Sequence, residues 1–186
     1  STFGDDLKKL AGSADDADLQ LVLDGKAVPA HRVLLAAASE LWYELLTGAA
    51  PPAAGGPILA IEGSRVTLDP EVLSHETLLL LLEYWYGGMP TLLLKHPLLL
   101  ATDDSKRQLA SLRSTALAFG PGCAPLVQAA DNALGGRPEE LNASLGTYNN
   151  EATARRLLSL FVGRDLFSDV ILQLPDGSTL PGHRAL

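Results

Sequence analysis

The side chains able to do acid–base, nucleophilic or metal chemistry in this 186-residue chain are few, and their spacing does not support it. The histidines are His31, His75, His96 and His183, and no two stand four residues apart, the interval that puts two metal ligands on one helical face. Cys123 is the single cysteine, which excludes an internal disulfide and a multi-cysteine zinc site. No Gly-x-Ser-x-Gly elbow, glycine-rich phosphate loop or Cys/His nucleophile arrangement is present. The adjacent carboxylates Asp15-Asp16, Asp103-Asp104 and Glu139-Glu140 fall in expected loops, where solvated surface is the expected role. The chain is therefore expected not to be an enzyme and to use no cofactor and no metal.

One pattern of turn-forming and charged residues is written twice. DGKAVPAHRVL occupies residues 24–34 and DGSTLPGHRAL residues 176–186, with six of eleven positions identical. Asp24-Gly25 and Asp176-Gly177 supply the positive dihedrals that a tight hairpin turn needs. Pro29 and Pro181 mark the returning strand as short or at an edge, because proline cannot donate to a ladder. His31 and His183 stand where strand gives way to helix, so capping or packing is their expected work. The copies differ by one inserted residue, since Asp18 precedes His31 by 13 positions and Asp169 precedes His183 by 14.

The elements that must hold these residues can be read along the chain. DLQLVL alternates as a half-buried strand, with Leu19, Leu21 and Leu23 on one face. The helix after His31 is apolar nearly all round and belongs inside the domain, and ELWYELLTG follows it. Residues 48–57 read as a loop, and ILAIEGSRVTLD as one or two further strands. Ser74 can cap HETLLLLLEYWYGG, which closes on a glycine pair suited to a left-handed helix end. The stretch 89–104 shows neither period. A helix is predicted over 106–120, another from Pro125, and a polar, Gly/Pro-bearing linker over 136–152. With 22 acidic against 14 basic residues and no basic stripe, neither nucleic acid nor membrane is an expected partner, and a cytoplasmic or nuclear setting is expected.

Strand, turn, strand and a helix beginning His-Arg, followed later by LLEYWYGG at 81–88, resemble the BTB/POZ domain family. The resemblance covers residues 7–135 and begins again at 155–186, as in tandem-BTB chains. It divides the chain into a domain at 1–135, the linker, and the start of a second, incomplete domain at 153–186. It implies a mixed α/β (α+β) fold, a helical cluster capped by a small, mainly three-stranded sheet. It further implies a protein–protein interaction module that self-associates, with protein partners and a cullin-3 scaffold among them. The function so implied is that of a substrate adaptor in a cullin-3-type ubiquitin ligase; the alternative is a purely architectural oligomerisation domain.

The resemblance also implies site residues. Asp18 and Arg32, with Asp169 and Arg184 as counterparts, match a charged pocket near the family's dimer interface, and a structural ion pair between strand and helix is expected. Tyr84, Tyr86 and Met89 are expected at a helix end whose polar tips reach a partner. Two departures accompany it: about 17 residues precede the first strand, too few for a long exchanged arm, and MPTLLLKH lacks the hydrophobic-x-Glu motif associated with cullin contact. The second copy alone is too short to bury a core, so its hairpin is expected either to pack on the first domain or to be poorly ordered.

Overall fold

The computed structural model describes residues 3–147 and 151–186. The alternating leucines form β1 (Leu19–Leu23), which turns back into β2 (Lys26–Ala30) with Leu21 opposite Val28 and Gln20 opposite Pro29. Asp24 and Gly25 have φ of 49° and 74°, the two positive values that a two-residue type I′ turn requires. β3 (Ile58–Glu62) and β4 (Arg65–Leu68) pair antiparallel, and β4 runs parallel to β1. The order β2-β1-β4-β3 gives a four-stranded sheet, one strand more than expected, with Pro29 on an edge strand where its missing amide costs no ladder bond.

A parallel neighbour demands a crossover, and the apolar run after His31 provides it. That run is two helices, α1 (Phe3–Lys8) having preceded the sheet: α2 (Arg32–Ala38) and α3 (Glu40–Thr47), separated because Ser39 is extended at φ −147° and ψ 133°. Gly48, at φ 77°, ends α3 by turning its amide back to the Glu44 and Leu45 carbonyls. α4 (His75–Gly87) starts on Ser74, whose hydroxyl accepts the Thr77 amide at 3.2 Å.

The stretch 89–104 contains a 3-10 turn, Thr91–Leu94, and a short helix, α5 (Pro97–Leu100), both too brief for a period to show. α6 (Asp103–Ala118) begins three residues before its amphipathic pattern because Thr102 caps the Ser105 amide at 3.2 Å, and α7 (Ala124–Leu134) follows. The stretch read as a linker holds α8 (Pro138–Thr147) and the start of α9 (Glu151–Leu160). Pro138 and two first-turn carboxylates favour a helix start, and buried Leu141 fixes α8, which packs on α7; the polar composition belongs to its solvent faces. β5 (Val170–Gln173) and β6 (Thr179–Gly182) form a separate antiparallel pair.

Leucines from the sheet and from α2, α4, α6 and α7 meet in one core, each fully buried side chain contributing roughly 1.5–3 kcal/mol. Trp85 anchors it, meeting Trp42 edge-on at 5.3 Å and Phe119 at 4.9 Å. Burial pushes the Cys123 thiol up to about 11, leaving it an inert packing group. Gly87 serves packing more than helix termination: a Cβ there would lie 2.2 Å from the Gly4 carbonyl oxygen, so α1 can lie against α4 only because Gly87 has none.

Candidate functional site

The junction of β2 with α2 is built by Asp18, His31 and Arg32. The Asp18 carboxylate accepts the backbone amide of Arg32 at 2.8 Å, and the Arg32 Nη2 donates to the Gly63 carbonyl at 2.8 Å, in the turn between β3 and β4. The expected ion pair is therefore corrected: Asp18 caps the first free amide of α2, and the guanidinium reaches sideways to the neighbouring hairpin. A carboxylate gains there from an unsatisfied N–H and from the positive helix end together, which explains its choice of the amide. Asp18→Ala is expected to lower unfolding free energy by about 1–2 kcal/mol, the usual cost of losing a cap. Arg32→Ala, losing one exposed bond and a ring contact with Phe167 at the 6.0 Å limit of such attraction, should cost no more than about 1 kcal/mol. Equal losses in urea titrations would restore the ion pair.

His31 occupies the cap position with its side chain turned inward. Its Nε2 lies 2.7 Å from the Asp15 carbonyl, which can only accept, so Nε2 carries the hydrogen and Nδ1 can accept from the Tyr86 hydroxyl at 3.0 Å. The same hydroxyl accepts the His31 backbone amide at 2.8 Å. Burial drives the Tyr86 phenol far above its usual range, while the His31 amide acts in the opposite sense. Tyr84 donates to the Gly122 carbonyl at 3.0 Å. Tyr84, Tyr86 and Met89 are only 5%, 1% and 5% exposed, which corrects the expectation that they face a partner. The polar tips of the two tyrosines find acceptors and donors inside the chain because the last turn of α4 is buried.

The second phrase repeats three of these contacts, with a turn at Arg184 where α2 begins in the first. Asp169 accepts the Arg184 amide at 2.9 Å, His183 Nε2 lies 2.7 Å from the Leu166 carbonyl, and the Asp169 amide reaches the Gly182 carbonyl at 3.1 Å, as the Asp18 amide reaches that of Ala30 at 3.2 Å. Leu172 stands opposite Leu180 as Leu21 stands opposite Val28. The inserted residue is Pro175, and it changes the turn. Leu174 to Ser178 is closed by a three-residue loop, with Gly177 at φ 84°, the Gly177 amide 2.9 Å from the Leu174 carbonyl, and the Asp176 carboxylate accepting the Ser178 amide at 2.9 Å.

α9 packs on α2, joined by a side chain that sequence reasoning passed over. Arg156 donates to the Ala37 and Ala36 carbonyls at 2.9 and 3.0 Å, closing orphan acceptors at the end of α2, and pairs with Glu40 at 2.9 Å. Its guanidinium also lies 5.9 Å from the centre of the Tyr43 ring, and that of Arg32 lies 6.0 Å from the Phe167 ring. Nothing about one arginine in ATARRLLSL signals a partner more than 110 residues away.

Among known families, residues 7–113 match the BTB/POZ domain. The chain belongs to the BTB/POZ domain family. The matched stretch holds the four-stranded sheet, the buried α2 and the aromatic end of α4, and it stops well before residues 151–186. No curated protein and no solved structure matches the chain. BTB/POZ domains are protein–protein interaction modules that also self-associate, and the fold is generally without catalysis. Among the described residues no cluster of His, Cys, Asp and Glu could hold a metal, and no helix is long and apolar enough to cross a membrane.

On the BTB domain's surface, a groove of about 380 Å³ runs between α3, the 48–57 loop and the end of α6. Leu41, Pro52, Phe119 and Pro121 line it, with Glu40 and Glu44 at its rim. With Glu40 paired to Arg156, an apolar floor edged by the Glu44 carboxylate suits an apolar segment that carries a basic residue.

Proposed function

We propose that this BTB domain is the scaffold-binding part of a substrate adaptor for a cullin-3-type ubiquitin ligase, acting in the cytoplasm or nucleus. The observation that carries the reading is the groove beside α3, a concave, largely apolar surface that no element among the described residues fills. The missing hydrophobic-x-Glu motif after α4 shifts the expected contact to this groove, away from residues 89–96. Purified cullin-3 N-terminal domain should bind the chain in calorimetry, and Leu41→Glu, placing a charge on the half-buried groove floor, should weaken binding at least tenfold. Absence of binding by the unaltered chain would sink the adaptor reading.

We further propose that residues 151–186 are a second start of the same domain. The matching Asp-to-amide and His-to-carbonyl distances support this, together with the shared strand register. The docking of α9 on α2 favours a second functional reading, an architectural role in which one unit seats on another. Calorimetry with the purified cullin-3 N-terminal domain separates the two, since an architectural module would associate with other copies or units and leave cullin-3 unbound.

A further inference from the structure

We propose that Arg156 and a basic residue of the partner compete for Glu40, so that seating α9 on α2 weakens binding at the groove beside α3. The inference rests on reading that groove as the scaffold's contact, and it adds a control upon the contact. Helical spacing places Glu40 and Glu44 in one row along α3, a turn apart, with Leu41 and Leu45 on the groove side of the row and Tyr43 on the other. Arg156 comes from the Tyr43 side. Its guanidinium lies 5.9 Å from the centre of that ring, and its Nη1 reaches Glu40 at 2.9 Å. Among the described residues the groove's lining includes no Lys, Arg or His, so the charge at its rim depends on whether Glu40 is taken. Glu44 makes no ion pair among the described residues. A seated α9 therefore leaves one carboxylate to an incoming cation, and a withdrawn Arg156 leaves two.

The strengths of the contacts allow the exchange. Arg156 holds the end of α2 through the Ala37 and Ala36 carbonyls at 2.9 and 3.0 Å, and neither bond needs Glu40. The pair with Glu40 is the exposed part of the arrangement, the carboxylate side chain being 64% exposed and the arginine 32%. Pairs of that kind contribute little and are screened by salt, so a lysine or arginine arriving over the groove can take Glu40 from Arg156. The coupling is reciprocal: by whatever factor the seated α9 lowers the partner's affinity, the bound partner loosens the seating of α9.

The test measures, by calorimetry, binding of the purified cullin-3 N-terminal domain to the full chain, to Arg156→Gln, and to Arg156→Gln combined with Glu40→Gln. Arg156→Gln should tighten binding by about three- to fivefold, the scale of one exposed pair, and the combined variant should lose that gain. Saturating cullin-3 domain should also speed amide exchange over residues 157–160 of the unaltered chain. A gain that persists in the combined variant, or at about 0.5 M sodium chloride, comes from uncovered surface instead of a freed carboxylate and overturns the inference. Unchanged exchange over residues 157–160 overturns it as well. Absence of binding by every chain, or binding that Leu41→Glu leaves intact, overturns the groove reading and this inference together. Binding that Leu41→Glu weakens and Arg156→Gln leaves unchanged overturns this inference alone.

Discussion

Tyr86→Phe is expected to lower the unfolding free energy of the BTB domain by about 2–4 kcal/mol, measured by urea titration at unchanged slope. The substitution removes one oxygen and leaves the ring, so the edge-on contact with His31 at 5.6 Å stays in place. What it strands is the His31 backbone amide and the ring Nδ1, both bonded to that oxygen in a fully buried place. A buried polar group left without a partner costs about 1–3 kcal/mol, and here there are two. Tyr84→Phe provides the scale: its hydroxyl reaches a carbonyl on an exposed glycine, and its loss should cost about 1 kcal/mol. If Tyr84→Phe proves the more damaging, the His31–Tyr86 unit does not hold the junction.

That unit marks the border of what the amino-acid order discloses. The hairpin of β1 and β2 was legible because its determinants are local: leucines at alternate positions, and Asp24-Gly25 able to take two positive φ values. Even the one-residue offset between the copies has a local meaning, since Pro175 converts a two-residue turn to a three-residue one without disturbing the strand register. Ser74 as a cap was legible for the same reason. The partners of the repeated polar residues were not. His31 and Tyr86 are 55 residues apart, and Asp18 chose an amide over a guanidinium because the helix end offered an unsatisfied donor.

Glycine and polar composition misled where tertiary contact decides. Gly87 looked like a terminator and is a contact surface for α1, which can be seen only once Gly4 lies over it. Residues 138–147 looked like a linker because ten residues with one strong apolar anchor, Leu141, resemble a loop until α7 supplies the surface that the anchor buries. Aromatic side chains at the end of α4 looked available to a partner because a sequence does not show which turn of a helix is enclosed; here it is the last one, around Tyr84, Trp85 and Tyr86. The groove proposed as the interaction surface lies instead beside α3, where Leu41 and Phe119, the latter at the end of α6, come together in a way that neither residue's neighbours announce.

Phe161→Ala is expected to release residues 151–186 from the BTB domain, at a cost of about 3–5 kcal/mol to their docking. The hairpin of β5 and β6 has four residues a strand and little buried surface of its own, and a two-stranded sheet of that kind is at best marginal in water. Its order therefore depends on what it leans upon. Phe161 is fully buried, stacks on Phe167 at 6.0 Å and meets His183 edge-on at 5.9 Å, so it joins α9, the segment before β5 and the second junction. Removing its ring leaves a cavity, while Arg156 and buried Leu157 continue to tie α9 to the domain. Limited proteolysis should then cut beyond residue 150 and spare the matched domain at 7–113, whose Trp42–Trp85 pair includes none of these rings. An unchanged cleavage pattern would show that α9 and its arginine hold the second unit unaided, and that the aromatic cluster merely fills space between them.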